Sequence, residues 1–260
     1  MALNFLPYDI CPSEEMTMPQ YTGGISVFFP AFNDEKTIGT MVTEVLAVLP
    51  TLTDDYEVIV VNDGSTDATE DVVQEIARLS PYVQVISHKQ NQGYGAALRS
   101  GISHASKDLI FYTDGDGQYD VRELACLLPR MTAACDVVNG YKIKRADPRR
   151  RIFIGAMYNR LARLLFGLPI RDVDCDFRLI RRSALNGIEL TSLSGVICVE
   201  MLYKLHSAGC AFAEVPIHHY PRLYGRSQFF TLRSVARTAF DFLALWIKLV
   251  LFRINGRSGS

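Results

Sequence analysis

Along the first half of the chain, apolar and polar positions come in blocks. Short apolar runs fall at residues 25–29, 57–61, 83–87 and 108–113. Three of them end at Pro30, Asn62 and Asp114, the punctuation expected around a buried strand. Between them lie stretches with helical spacing. One covers residues 34–49 and ends before Pro50. A second runs to about residue 79 with Ser65 or Thr66 as its cap, and a Gly-rich turn opens a third over 93–105. Strands alternating with helices at this interval predict βαβ units, and so a mostly parallel sheet with helices on both faces. The second half is less regular. It suggests strands at 136–139 and 211–217, a basic-faced amphipathic helix over 152–166, a helix over 199–207 and a hydrophobic helical stretch over 229–252. No internal repeat or Gly/Pro-rich linker interrupts the chain. The expected organisation is an irregular extension over 1–22, one α/β domain over 23–228 and amphipathic C-terminal helices over 229–260.

Charge changes this picture more than composition does. The 260 residues are 48% hydrophobic and 21% charged, as in a folded globular chain. The formal net charge of −1 conceals a division. Residues 1–141 carry 7 Lys+Arg against 20 Asp+Glu, whereas residues 142–260 carry 20 against 8. A second half this basic is expected to meet something anionic. The six cysteines form no C-x-x-C pair and have no metal-site spacing, so reduced thiols in the cytosol are expected. No secretory signal is visible, and the longest apolar approach to a membrane span, residues 239–252, includes Asp241 and Lys248.

In an open α/β sheet, ligands bind beyond the carboxyl ends of the strands. Three such ends carry polar clusters: Pro30-Ala31-Phe32-Asn33-Asp34, Asn62-Asp63-Gly64-Ser65 and Asp114-Gly115-Asp116-Gly117-Gln118. Three clusters on one edge point to one shared site rather than to three helix caps. Asp114 and Asp116 flank a glycine, and with Gln118 they form an oxygen-rich set suited to Mg²⁺ or Mn²⁺ together with substrate phosphates. A calcium loop is excluded because Tyr119 and Ala125 stand where it needs Gly and Glu. A dinucleotide fingerprint is excluded because Gly93-Tyr94-Gly95 has no third glycine at the right offset.

With Asn91-Gln92-Gly93-Tyr94-Gly95-Ala96-Ala97 in its place between these clusters, the ordered set resembles the family 2 inverting glycosyltransferases of the GT-A fold. It is most similar to the polyprenyl-phosphate (dolichyl-phosphate) hexose synthases, over residues 25–228. The late segment Arg222-Leu223-Tyr224-Gly225-Arg226-Ser227-Gln228 is similar to their R-x-Y-G-x-S-K loop. The resemblance implies transfer of a hexose from a GDP-mannose or UDP-glucose type donor to a dolichyl or undecaprenyl phosphate. It implies that Pro30, Phe32 and Asp34 line the nucleotide pocket and that Asp63 bonds the base. Asp114 would sit near the ribose and metal. Asp116 and Gln118 would bind the divalent ion, and Arg222 would reach the phosphates from a mobile loop. Asn62, Gln228 and Gly155 depart from the family, which has Asp, Lys and an acceptor-contacting Ser at the matching positions.

A phosphate acceptor has its second pKa near 6, so it needs positive charge and no general base. The basic residues after the fifth predicted strand offer that charge, and alignment points to Lys142 and Arg151 for the acceptor phosphate. Nucleic acid is not expected as a partner, because no aromatic platform or recognised binding motif accompanies Arg149, Arg150 and Arg151. A hydroxyl acceptor would need a base. Asp172, Asp174 and Asp176 offer one; Asp172 matches a family aspartate, while Asp176 stands where relatives carry Gly. The alternative is therefore a hydroxyl-acceptor transferase with a base from this cluster, and a non-catalytic binding module is a third possibility. The apolar, basic C-terminal stretch predicts peripheral attachment to the anionic cytoplasmic face of a membrane. Donor base, sugar and oligomeric state stay open.

Overall fold

The computed structural model describes residues 20–143, 149–222, 224 and 232–251. A seven-stranded sheet runs in the order β3-β2-β1-β4-β6-β5-β7. Its strands are β1 (Ile25–Ala31), β2 (Tyr56–Asn62), β3 (Val83–Ser87), β4 (Leu109–Thr113), β5 (Val137–Lys142), β6 (Phe177–Arg181) and β7 (Phe212–Ile217). The helices are α1 (Ile38–Leu52), α2 (Thr69–Leu79), α3 (Tyr94–His104), the single turn α4 (Leu124–Leu127), α5 (Arg149–Phe166), α6 (Ile197–Ser207) and α7 (Leu232–Trp246). All strands are parallel except β6, which pairs antiparallel with both β4 and β5.

The apolar runs become strands because both sheet faces are covered, leaving no position that must be polar. Successive residues alternate between two cores. Val27 and Phe29 pack with α1, α2 and α4 on one face. Phe28, between them, packs with α3 and α6 on the other. Pro30 is tolerated in a central strand for a local reason. Its carbonyl accepts from Gly115 on the β4 side, and the β1–β4 ladder has already ended at Phe28 and Tyr112. The missing N–H therefore leaves no ladder bond unmade.

The structure moves several expected boundaries. α1 passes through Pro50 to Leu52, since a proline in the last turn forfeits one bond that the end of the helix can spare. α2 starts at Thr69, so neither Ser65 nor Thr66 caps it. Asp67 instead accepts from the Thr69 amide at 3.0 Å and the Thr69 hydroxyl at 2.6 Å. β6 was not foreseen. It is short, follows three acids and carries the fully buried Arg178, which breaks the apolar signal of a strand. Its position depends on long-range pairing with β4 and β5. Cys135, Cys175, Cys198 and Cys210 are free, as expected. Cys126 is disulfide-bonded, contrary to the expectation of all-reduced thiols. α7 does not hang off the body: Phe242 and Leu245 bury against α5 and α6. No helix among the described residues is long and apolar enough to cross a membrane.

Candidate active site

A cavity of about 570 Å³ opens where the carboxyl ends of β1, β2 and β4 meet the starts of α1 and α3. This is the switch point of the sheet: the chain leaves β1 towards β2 and β3 on one side, then returns to β4 on the other. Pro30, Phe32, Asp34, Asp63, Asp114, Asp116 and Arg222 line the cavity together. These include every residue expected at the nucleotide-sugar pocket.

Local chemistry fixes the loops. Asn33 adopts a left-handed backbone, φ 58°, which Asn accepts more readily than bulkier residues. Its side-chain oxygen accepts from the Thr66 amide at 2.8 Å, tying the β1 loop to the β2 loop. Asp63 binds the next loop. Its carboxylate accepts from the Gln92 and Gly93 amides, each at 2.9 Å, and lies 2.6 Å from His88 Nδ1. Gly93 has φ 97°, and a Cβ there would lie 2.5 Å from the Leu193 carbonyl oxygen. Only glycine lets the turn reach this conformation and the 191–195 loop approach so closely. That loop is held from behind by buried Glu200, which accepts from the Thr191 and Ser192 amides.

Three carboxyls, the buried Asp116 and the half-buried Asp34 and Asp114, stand together on the cavity wall. Burial raises the Asp34 pKa to about 6, with Asp116 adding repulsion and Arg222 opposing it. Asp114 is pushed well above the usual carboxylate range, first by burial and then by Asp176 and Asp116. It accepts a hydrogen bond from the Tyr94 hydroxyl at 2.8 Å. Asp116 is also raised by burial, against the charge of Arg222, which forms an ion pair with its Oδ2. Among the described residues, no group of three or more His, Cys, Asp and Glu is arranged to hold a metal ion by itself. The donor set still fits Mg²⁺ or Mn²⁺, which take one or two carboxylates and complete their shell with phosphate and water. Asp114 and Asp116 are the groups available. Gln118 is differently engaged: its Nε2 donates to the Tyr220 carbonyl at 3.1 Å, and the Tyr220 amide donates back to its carbonyl at 2.8 Å. It is not part of the cavity lining.

The remaining expected residues are not part of the cavity lining. Asp172 is buried. It accepts from Asn159 Nδ2 at 2.7 Å and from the Asp174 and Lys142 amides, closing the β5–α5–β6 junction. Lys142, its side chain only 5% exposed, bonds the Asp174 carbonyl and lies 3.7 Å from the Asp174 carboxylate. Arg151 is half-buried on α5. Asp176 is placed by buried Arg178 at 3.4 Å and by the Cys198 thiol, which donates to it at 3.0 Å. Lys144, Arg145, the Arg149 side chain and residues 225–228 lie outside the described residues.

Four groups at the site were not singled out from the sequence: Tyr94, Ser194, Arg237 and Thr238. Tyr94 sits within a quoted motif, so its position was signalled but its bond to Asp114 was not. Ser194, Arg237 and Thr238 reach the cavity from α6's leading loop and from α7. Nothing in local sequence brings those elements to the switch point.

The model of the family described as "Glycosyl transferase family 2" matches residues 26–188. An undecaprenyl-phosphate 4-deoxy-4-formamido-L-arabinose transferase from Enterobacter sp. (strain 638) is 26% identical over 226 residues, covering 85% of this chain and 67% of that protein. Its namesake from Pseudomonas fluorescens (strain Pf0-1) is 26% identical over 217 residues, covering 81% and 62%. The chain thus spans about two thirds of the length of these relatives. Among solved structures, glucosyl-3-phosphoglycerate synthase from Mycobacterium tuberculosis, in complex with Mn²⁺, UDP and glucosyl-3-phosphoglycerate, matches with a TM-score of 0.65 at 20% identity, covering 87% of this chain and 79% of that one. A mannosyltransferase from Pyrobaculum calidifontis in complex with GDP-Man and Mn²⁺ matches with a TM-score of 0.61 at 21% identity, covering 85% and 62%. At these identities the two structures speak for the fold.

Proposed function

Because the chain belongs to glycosyl transferase family 2 and is a glycosyltransferase of the GT-A fold, we propose that it moves a hexose-type sugar from a nucleotide donor to a polyprenyl phosphate at a membrane surface. The observation that carries this reading is the meeting of Asp114, Asp116 and Arg222 in one cavity at the switch point. The names of the curated relatives supply the acceptor class.

Pro30, Phe32, Asp34 and Asp63 hold the nucleoside, and Asp114 and Asp116 would hold a divalent cation. When bound, that cation acts as a Lewis acid on the leaving group. Arg222, now paired with Asp116, then turns to the diphosphate and adds charge-assisted hydrogen bonds as negative charge builds there. An oxygen of the acceptor phosphate forms the new bond to the anomeric carbon. The bond from that carbon to the diphosphate oxygen breaks, and its electron pair leaves with the nucleoside diphosphate. Attack from the face opposite the leaving group inverts the anomeric centre. The acceptor is largely ionised at neutral pH, so no protein base is required.

The membrane reading rests on two helices. On α5, Phe153, Met157, Leu161 and Leu164 form an exposed stripe opposite the buried stripe of Asn159, Ala162 and Phe166. Phe153 and Leu164 are 71% and 70% exposed. α7 repeats the pattern with Phe240, 73% exposed, and Leu243. The two helices adjoin, since the Phe242 ring packs on Tyr158 and Phe166 and the Trp246 indole donates to the Leu165 carbonyl. Helices apolar on both faces and flanked by arginines suit the boundary of an anionic bilayer.

The test is transfer of labelled sugar from a panel of nucleotide donors to undecaprenyl phosphate with Mg²⁺ or Mn²⁺. Label in an acid-labile lipid is expected. Label only in a hydroxyl compound would replace this acceptor with the alternative one, and no turnover with any donor would sink the enzymatic reading.

A further inference from the structure

The acceptor phosphate must approach a donor that already carries a diphosphate, beside a wall of carboxyls. It therefore needs a cation on its own side of the cavity. Lys142 and Arg151, the groups expected from sequence to supply it, are not on the cavity wall. The only two cationic side chains among the described lining residues are Arg222 and Arg237. Arg222 is committed to Asp116 and, through the proposed mechanism, to the donor. Arg237 comes from α7, is exposed, and makes no salt bridge among the described residues.

We propose that Arg237, with the Thr238 hydroxyl beside it, binds the phosphate of the acceptor at the edge of the donor cavity. The inference rests on the polyprenyl-phosphate reading above and names the side chain that reading lacks. α7 carries Arg237 on the wall of the cavity and, three residues on, begins its exposed apolar stripe at Phe240. At a helical rise of about 1.5 Å per residue, the two are about 4.5 Å apart along the axis. A prenyl chain lying against the stripe of Phe240, Leu243 and Ile247 thus has its phosphate beside Arg237. A guanidinium is suited to that end, since its fixed fork matches two phosphate oxygens at once. One helix thereby joins lipid contact to the reacting phosphate.

Donor and acceptor both carry phosphate, so the test separates them. Binding of farnesyl monophosphate, and separately of UDP or GDP with Mn²⁺, is measured calorimetrically on the full chain and on Arg237→Ala and Arg237→Lys. Farnesol serves as the probe without phosphate. Loss of a charge-assisted bond predicts farnesyl monophosphate binding weaker by roughly ten- to a hundredfold in Arg237→Ala, with an intermediate loss in Arg237→Lys. Nucleotide affinity and farnesol binding should stay within about twofold of wild type on the same reasoning. Equal farnesyl monophosphate binding in wild type and Arg237→Ala would overturn the assignment while leaving lipid transfer standing. A parallel loss of nucleotide affinity would make Arg237 a donor contact and also overturn it. If the wild type transfers no sugar to undecaprenyl phosphate, the acceptor reading falls and this assignment falls with it. Because Arg237 is exposed, unchanged thermal unfolding of the variant is the expected control.

Discussion

In the half built on β1 to β4, charged side chains stand at strand ends and face a cavity; in the half built on β5 to β7, most of the charges that looked functional are built into the protein. Asp34, Asp63, Asp114 and Asp116 belong to the first group. Asp172, Lys142, Asp176 and Arg178 belong to the second, where each has close polar partners within the body. The difference comes from topology. Parallel strands with buried faces leave only their ends for polar residues, so an acid there is exposed to ligand. The antiparallel insertion of β6 puts charged residues inside the sheet, where they must be paired and hydrogen-bonded to be tolerated.

That contrast can be broken by substitution. The largest effect is expected at Asp116. Asp116→Ala should lower sugar turnover about a thousandfold, because it removes electrostatic support from the leaving group. Released nucleotide and Mn²⁺ affinity should fall together; turnover within tenfold of wild type would move cation binding elsewhere. Arg178→Ala tests the other half. Its guanidinium is fully buried and bonds the Val173 carbonyl at 2.6 Å, the Asn139 amide oxygen and the Tyr112 hydroxyl. Truncation should cost about 3–5 kcal/mol in urea unfolding by stranding Asp176 and these partners. A loss below about 0.5 kcal/mol, ordinary for a surface site, would erase the distinction between the halves.

Asp172→Asn decides between a buried brace and a base. As a brace it should lose about 1–3 kcal/mol of stability and keep turnover within tenfold. A thousandfold loss of turnover with stability intact would return Asp172 to the chemistry and favour a hydroxyl acceptor. The smallest effect concerns Asp34. Its folded pKa is about 6 against 3.8 ordinarily, so the folded state holds the proton more tightly. That advantage is complete below the unfolded value and is lost as pH rises through 6. Asp34→Asn, which removes the charge and keeps an acceptor for the Phe32 amide, should therefore raise the apo melting temperature at pH 7. The gain should shrink as pH falls towards 4, and a gain independent of pH would remove the buried charge from the account.

Much of the first half was readable because its signals are local. Short apolar runs rich in β-branched residues and closed by turn residues read as strands with two covered faces, and the punctuating Asn, Asp and Gly then sit at the strand ends. This brought the residues expected at a nucleotide pocket around one cavity. β6 could not be read in the same way, since its second residue is Arg178, whose burial depends on Tyr112 and Asn139, 66 and 39 residues away. The role of α7 was half readable. Its apolar, basic composition led to the expectation of a lipid surface, while its packing through Phe242 onto α5 was invisible.

The sequence by itself determined the parallel α/β half, the edge of the sheet at which the cavity opens and the carboxylates that stand there, because spacing and turn chemistry act over a few residues. Only the tertiary structure decided which cations line the cavity. It withdrew Lys142 into a bond with Asp174, set Arg222 on Asp116 and brought Arg237 to the wall from a helix more than a hundred residues beyond the Asp114–Gln118 segment. A charge's partners are set by which elements pack together, and a residue type repeated along a basic half carries no record of that packing.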